Sequence, residues 1–152
     1  MRIAIAADEL TGVANAIPDE LRRRGHELIP HGVYAPGTER PDWAWASEAA
    51  ARDVAERRAD QAVIACWTGT GASIAANKVS GVRAALCVDA QTAGGARQWN
   101  DANVLALSLR LTSHAALTEI LDAWFEGVPS DDGADVANVD HLTEIEHQRP
   151  AT

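Results

Sequence analysis

Cysteine and positive charge are both scarce in this sequence. Its 152 residues include two cysteines, Cys66 and Cys87, too few for a disulfide framework and suited to a reducing cytoplasm. No apolar run approaches the roughly 20 residues that a membrane span needs, and no basic-then-apolar leader opens the chain. Secreted, membrane-embedded and collagenous classes are therefore not expected, and the cytoplasm is the expected location. Lys and Arg number 13 against 22 Asp and Glu, a net charge of −9 that argues against binding nucleic acid. The five histidines (His26, His31, His114, His141, His147) are scattered without ligand spacing, so no metal site is expected. None pairs locally with a cysteine as a thiol protease would require.

A hydrophobic fraction of 47% with 23% charged residues fits one globular domain able to bury a core unaided. The negative charge is concentrated at one end. From Glu119 onward nine acids (Glu119, Asp122, Glu126, Asp131, Asp132, Asp135, Asp140, Glu144, Glu146) face one base, Arg149. Residues 1–128 are read as the folded domain. Residues 129–152 are read as an acidic segment that belongs to it or packs on a partner subunit.

Strand-like and helix-like stretches alternate without repeats, which predicts an α/β fold: a Rossmann-like three-layer sandwich around a five-stranded parallel sheet. Predicted strands are Arg2–Ala7, 27–29, 61–65, 83–88 and 104–108. Predicted helices are 13–24, 43–57, 73–79, 92–99, 113–125 and 140–147. Gly25 is expected as a left-handed cap, Asp42 and Ser113 as N-caps, and Pro129 and Gly133 as breakers. Cys87, Trp43, Trp45 and Trp124 are read as core or interface, and His26 as exposed.

In such sheets ligands sit beyond the carboxyl ends of the strands. Three segments fall there: Asp8-Glu9, Cys66 to Gly71, and Asp89. The middle one places a thiol at a strand end, then glycines whose backbone N–H groups can turn toward a ligand. A helix start follows, whose positive end would stabilise an oxyanion and lower the thiol's pKa. Other glycine-loop readings fit less well. Lys78 follows Asn77 rather than a P-loop glycine, and Ile74 stands where a dinucleotide fingerprint needs its third glycine.

The runs CWTGTGASIAANK at 66–78, GVRAALC at 81–87 and NDANVLAL at 100–107 closely resemble the ribose-5-phosphate isomerase B and galactose-6-phosphate isomerase family. So do the opening strand with Asp8, the loop near Tyr34, PDWA at 41–44 and ILDAW at 120–124. The resemblance spans about residues 1–125. It implies a Rossmann-like homodimer with active sites shared between subunits, and aldose–ketose isomerisation through an enediol without a cofactor. It further implies Cys66 as the base that moves a proton between adjacent sugar carbons, and Thr68 as a hydrogen-bonding partner of the reacting oxygens. Backbone N–H groups of Gly69, Thr70 and Gly71, with Asn100 of a second copy, would hold the enediolate oxygen. Asp8 would bind sugar hydroxyls. Ala72 stands where some relatives carry a glutamate base, which leaves Cys66 as the base on offer.

Departures from the family pattern bear on the substrate. Glu9 and Trp99 stand where the family typically has histidines, the second of which opens sugar rings, and Trp67 fills a position usually held by glycine. The stretch SDDGADVAN at 130–138 carries no arginine where the family grips phosphate. Arg110, with Arg97 as a second candidate, is the cation left to anchor an anion. Losing two arginines and placing carboxylates nearby would turn an attractive anion site neutral or repulsive. Trp67 and Trp99 would narrow the pocket. The expected function is thus isomerisation of a short or unphosphorylated, open-chain sugar. The alternatives are a conventional sugar-phosphate isomerase with a rearranged phosphate site, or a non-catalytic, sugar-binding subunit.

Overall fold

A computed structural model describes residues 1–148. Strands β1 (Arg2–Ala7), β2 (Glu27–Gly32), β3 (Gln61–Cys66), β4 (Ala84–Leu86) and β5 (Val104–Ser108) form one parallel sheet in the order β2-β1-β3-β5-β4. Helices α1 (Ile17–Arg23), α2 (Trp43–Ala55), α3 (Thr70–Ala76), α4 (Ala90–Asn100), α5 (His114–Glu126) and α6 (Gly133–His147) complete the chain. The direction of winding reverses between β1 and β3, and the crevice beyond their carboxyl ends is where such sheets bind ligands. Among the described residues no helix is long and apolar enough to cross a membrane.

The two faces of the sheet differ in side-chain size because successive residues alternate across it. Ile3, Ile5, Val63, Leu105 and Leu107 meet the large residues of α1 and α5, including the fully buried Trp124. Ala4, Ala6, Ala62 and Ala106 line the opposite face, where Ala46, Ala50, Ala72 and Ala76 let α2 and α3 approach closely. Cys66 belongs to this second layer.

Several boundaries differ from expectation for local reasons. The stretch expected as a helix over 13–24 is a 310 turn at Gly12–Asn15 followed by α1, with Pro18 in the first helical turn, where its missing N–H is tolerated. Helix α3 opens at Thr70, three residues early, directly after the left-handed Gly69. Helix α6 begins at Gly133 rather than 140, because the Asp132 carboxylate caps it by accepting from Ala134 N. His26 is not exposed. Its ring lies 4.4 Å from that of Phe125, and both ring nitrogens are buried without a partner among the described residues. The caps Asp42 and Ser113 and the positive-φ Gly25 are as expected.

Candidate active site

Asp8 follows β1, Cys66 ends β3, and the loop between Cys66 and α3 closes over them. Together with Trp43, Trp67, Thr68, Thr70 and Gly71 they line a cavity of about 280 Å³. The loop is lashed to the end of β5. Leu109 N donates to Cys66 O at 3.0 Å, while Arg110 N at 2.9 Å and Ser108 Oγ at 3.1 Å donate to Trp67 O. Cys66 is 5% exposed, a thiol at the floor rather than the rim.

The two loop glycines have different jobs. Gly69 has φ +76°, and a Cβ there would lie 2.5 Å from Leu86 Cδ1 and 2.9 Å from the Leu107 carbonyl. Gly71 is not left-handed, but a Cβ would lie 2.8 Å from Trp43 Cε3, so the indole of Trp43 covers its backbone. The first N–H groups of a helix have no intrahelical acceptor, which leaves those of Thr70 and Gly71 for a ligand oxygen. Gly69 does not serve as the expected donor, because its N–H already donates to Cys66 O at 3.2 Å. Its contribution is shape. The Thr68 and Thr70 hydroxyls are 2.8 Å apart and hydrogen-bonded.

The Asp8 carboxyl is half-buried, and its Oδ1 is buried with no partner among the described residues. Burial raises its pKa above the ordinary carboxylate value, and the Glu9 and Asp42 carboxylates push the same way. Its own backbone N–H pulls it down in part. An unpaired carboxylate oxygen on a cavity floor is an acceptor waiting for a hydroxyl.

The remaining expected residues do not all meet here. Glu9 flanks Asp8 without lining the cavity. Trp99 and Asn100 lie at the far end of α4, on the amino-end side of the sheet. Trp99 covers Gly95 and faces α6, and Asn100 lines a different cavity of about 370 Å³ with Leu142, Ile145 and Glu146 of α6. Within one chain neither reaches Cys66. The Arg110 backbone clamps the Trp67 carbonyl, and its side chain is exposed with no ion pair among the described residues.

Arg97 is corrected from anion anchor to structural residue. It is buried against Trp124 and bonded to Ala102 O and to Asp101 Oδ1 at 3.2 Å. Asp89 is a helix cap, accepting from Thr92 N at 2.7 Å. Cys87 is fully buried and pushed up to about 12 by burial, with Asp89 adding to the shift, so it is no nucleophile. No cluster of three metal-ligating side chains occurs among the described residues.

Trp43, which the sequence reading assigned to core or interface, is 44% exposed and lines the cavity. The signal was available. Asp42 marks the N-cap of α2, and a helix that returns from a strand's carboxyl end starts at the ligand-binding end of the sheet.

The profile of the Ribose/Galactose Isomerase family matches residues 3–142. The ribose-5-phosphate isomerase B of Escherichia coli K12 is 35% identical over 97% of this chain and 98% of its own length. The D-erythrulose-4-phosphate isomerase of Pectobacterium atrosepticum is 33% identical over 97% of each chain. The structure of the Clostridium thermocellum ribose-5-phosphate isomerase B superposes with a TM-score of 0.86 at 36% identity, covering 97% of this chain and 99% of that one.

Proposed function

Because this chain belongs to the ribose/galactose isomerase family, whose members interconvert aldoses and ketoses, we propose that it isomerises a short or unphosphorylated open-chain sugar through an enediol at the Cys66 cavity. Cys66, as thiolate, takes the proton from C2 of the aldose. The electron pair forms the C1–C2 double bond and the carbonyl oxygen becomes the enediolate oxygen. Such a carbon acid ionises only if that oxygen is stabilised as the charge develops. The N–H groups of Thr70 and Gly71 do this, with Thr68 hydrogen-bonding the reacting oxygens and Asp8 accepting from a hydroxyl. The proton on O2 then passes to O1, C2=O2 forms as the new carbonyl, and the electron pair of the C1–C2 double bond takes the proton back from the Cys66 thiol at C1.

The observation that carries the substrate preference is the pair of indoles, Trp43 and Trp67, walling a cavity floored by Cys66 and Asp8. Trp67 is 52% exposed at the mouth, where its flat face limits the length of the carbon chain. Asp131, Asp132 and Asp135 lie at the Trp99 end of the molecule, so it is the carboxylates of a second copy that would repel a distant phosphate rather than grip one. A four-carbon sugar phosphorylated at its terminal oxygen cannot close a ring, so Trp99 in place of a ring-opening histidine is no handicap for it. The relative named for erythrulose 4-phosphate supports a short substrate.

A second copy of this chain completes the site in this reading, and the work is cytoplasmic. Two features support the dimer: Trp99 and Asn100 lie on the opposite end of the sheet from Cys66, and α6 buries no residue while exposing Val136, Leu142 and Ile145. The test is proton–deuterium exchange at C1 and C2, followed by NMR over three- to six-carbon sugars with and without phosphate. Exchange confined to unphosphorylated or four-carbon members is expected. Efficient exchange on ribose 5-phosphate overturns the substrate preference, and no exchange on any member favours a non-catalytic subunit.

A further inference from the structure

A second cavity, of about 460 Å³, lies on another side of α2, beside the edge strand β2, and shares no residue with the Cys66 cavity. His31, from the end of β2, and Arg40, from the following loop, both line it. Each is held in place by something the sequence has gone out of its way to supply. The Arg40 guanidinium carbon lies over the Trp45 ring, 4.3 Å from its centroid, a cation–π contact. It has no ion-pair partner among the described residues of a chain rich in carboxylates.

His31 is held from behind. Its Nε2 sits 2.6 Å from Asp53 Oδ2, and that carboxylate is 6% exposed and takes Arg58 Nε on its other oxygen at 2.6 Å. With Nε2 engaged, Nδ1 makes no hydrogen bond among the described residues. Unlike the ring nitrogens of His26, it is not a buried orphan, so it opens to solvent. A hydrogen bond on one imidazole nitrogen fixes what the other presents. With Nε2 engaged by Asp53, Nδ1 is the ring nitrogen left for a ligand of the cavity that His31 lines, and it can accept the P–O–H proton of a singly protonated phosphate. Of the acids nearby, Glu48 is paired with Arg52, Asp53 with Arg58 and His31, and Glu39 lines the cavity with no ion-pair partner among the described residues.

We propose that this cavity is a second binding site, for the phosphate group of a small ligand, gripped by the Arg40 fork and His31 Nδ1. A guanidinium that lies over an indole ring and has no ion-pair partner among the described residues suits bidentate contact with an oxyanion. Trp45, Ala46 and Ala49 give an organic phosphate an apolar wall for its carbon chain. The proposal does not rest on the isomerase reading of the Cys66 cavity.

The test is NMR titration of the full-length protein with inorganic phosphate, then with glycerol phosphate as a monoester. The signals followed are the tryptophan indole N–H groups and the histidine rings. Saturable shifts at Trp45 and His31 are expected, with affinity at least about tenfold weaker in Arg40→Gln. Arg40→Lys, which keeps the charge without the planar fork, should bind more weakly than the parent and better than Arg40→Gln. Cys66→Ala should bind normally, which separates this site from the other cavity. Tighter binding of the monoester identifies an organic phosphate as the ligand, and equal binding identifies free phosphate; both uphold the site. Non-saturating shifts, equal affinity in a folded Arg40→Gln or His31→Gln protein, or shifts confined to Trp43 and Trp67 overturn it.

Discussion

Alanine placed at each of the two loop glycines should have opposite consequences, although the positions are two residues apart. At Gly69 the backbone is left-handed, which costs a residue with a Cβ roughly 1–2 kcal/mol. The new methyl also meets Leu86 Cδ1 at 2.5 Å and the Leu107 backbone at 2.9 Å. Leu107 lies in the fully buried β5 and has nowhere to go, so overpacking adds about 1–3 kcal/mol. The sum, about 2–5 kcal/mol, is a large part of the ~5–15 kcal/mol that stabilises a typical domain. At Gly71 the backbone is ordinary, and the methyl meets the ring of Trp43, a half-exposed side chain that can swing toward solvent. Removing a glycine from a helix gains up to about 1 kcal/mol, which offsets the displacement and leaves stability within ~1 kcal/mol of the parent.

Activity should follow the reverse order. Gly71→Ala moves the Trp43 wall and crowds one of the two N–H donors, so it loses turnover while remaining as stable as the parent. Gly69→Ala, assayed well below its unfolding midpoint, keeps its donors because the Gly69 N–H was never one of them. Urea unfolding of both variants beside exchange kinetics on the best substrate separates the two effects. Equal destabilisation of the two proteins, or full activity in Gly71→Ala, refutes this division of labour.

Three further outcomes are expected. Cys66→Ala should abolish carbon-bound proton exchange while keeping the parent's fold and sedimentation behaviour, measured by NMR exchange and sedimentation; retained exchange removes the proposed base. Mixed dimers of Cys66→Ala and Asn100→Ala should regain about half of one parent's activity per dimer if sites are shared, because one of the two sites is then whole; no recovery on mixing places each site within one chain. His26 is held below the ordinary histidine value by burial, with the N-terminal amine and Arg24 adding to it, so the unfolded chain takes up a proton that the folded chain refuses. Stability should therefore be full above pH ~6.5 and fall as pH drops below it, and the urea midpoint of His26→Asn should lose that part of the pH dependence.

The parts of this fold that were legible in the sequence are those encoded by neighbours along the chain. Both sheet faces are buried, so β1, β3 and β5 read as continuous apolar runs, and the cap residues Asp42 and Ser113 mark helix starts with one side chain each. Helix α6 was half missed because it buries nothing within its own chain, so it has no apolar stripe to betray its period. The site divides the same way. Asp8, Cys66, Thr68, Thr70 and Gly71 are brought together by strand ends that the pattern already locates. The place of Trp43 on the cavity wall and the burial of Arg97 are not readable along the chain, because they depend on which end of the sheet a helix residue meets, which is a property of the packing. Trp99 and Asn100 belong to neither group: within one chain they stand at the wrong end of the sheet from Cys66. In the proposed dimer, an α6 that buries no residue and a half-site at the other end of the sheet would share one physical remedy, a second copy whose α4 and α6 cover the cavity beside Trp67. On that reading the acids of α6 act on the partner's substrate rather than on their own, so the charge that makes this end of the chain look like a solubilising tail is also what turns a long sugar phosphate away.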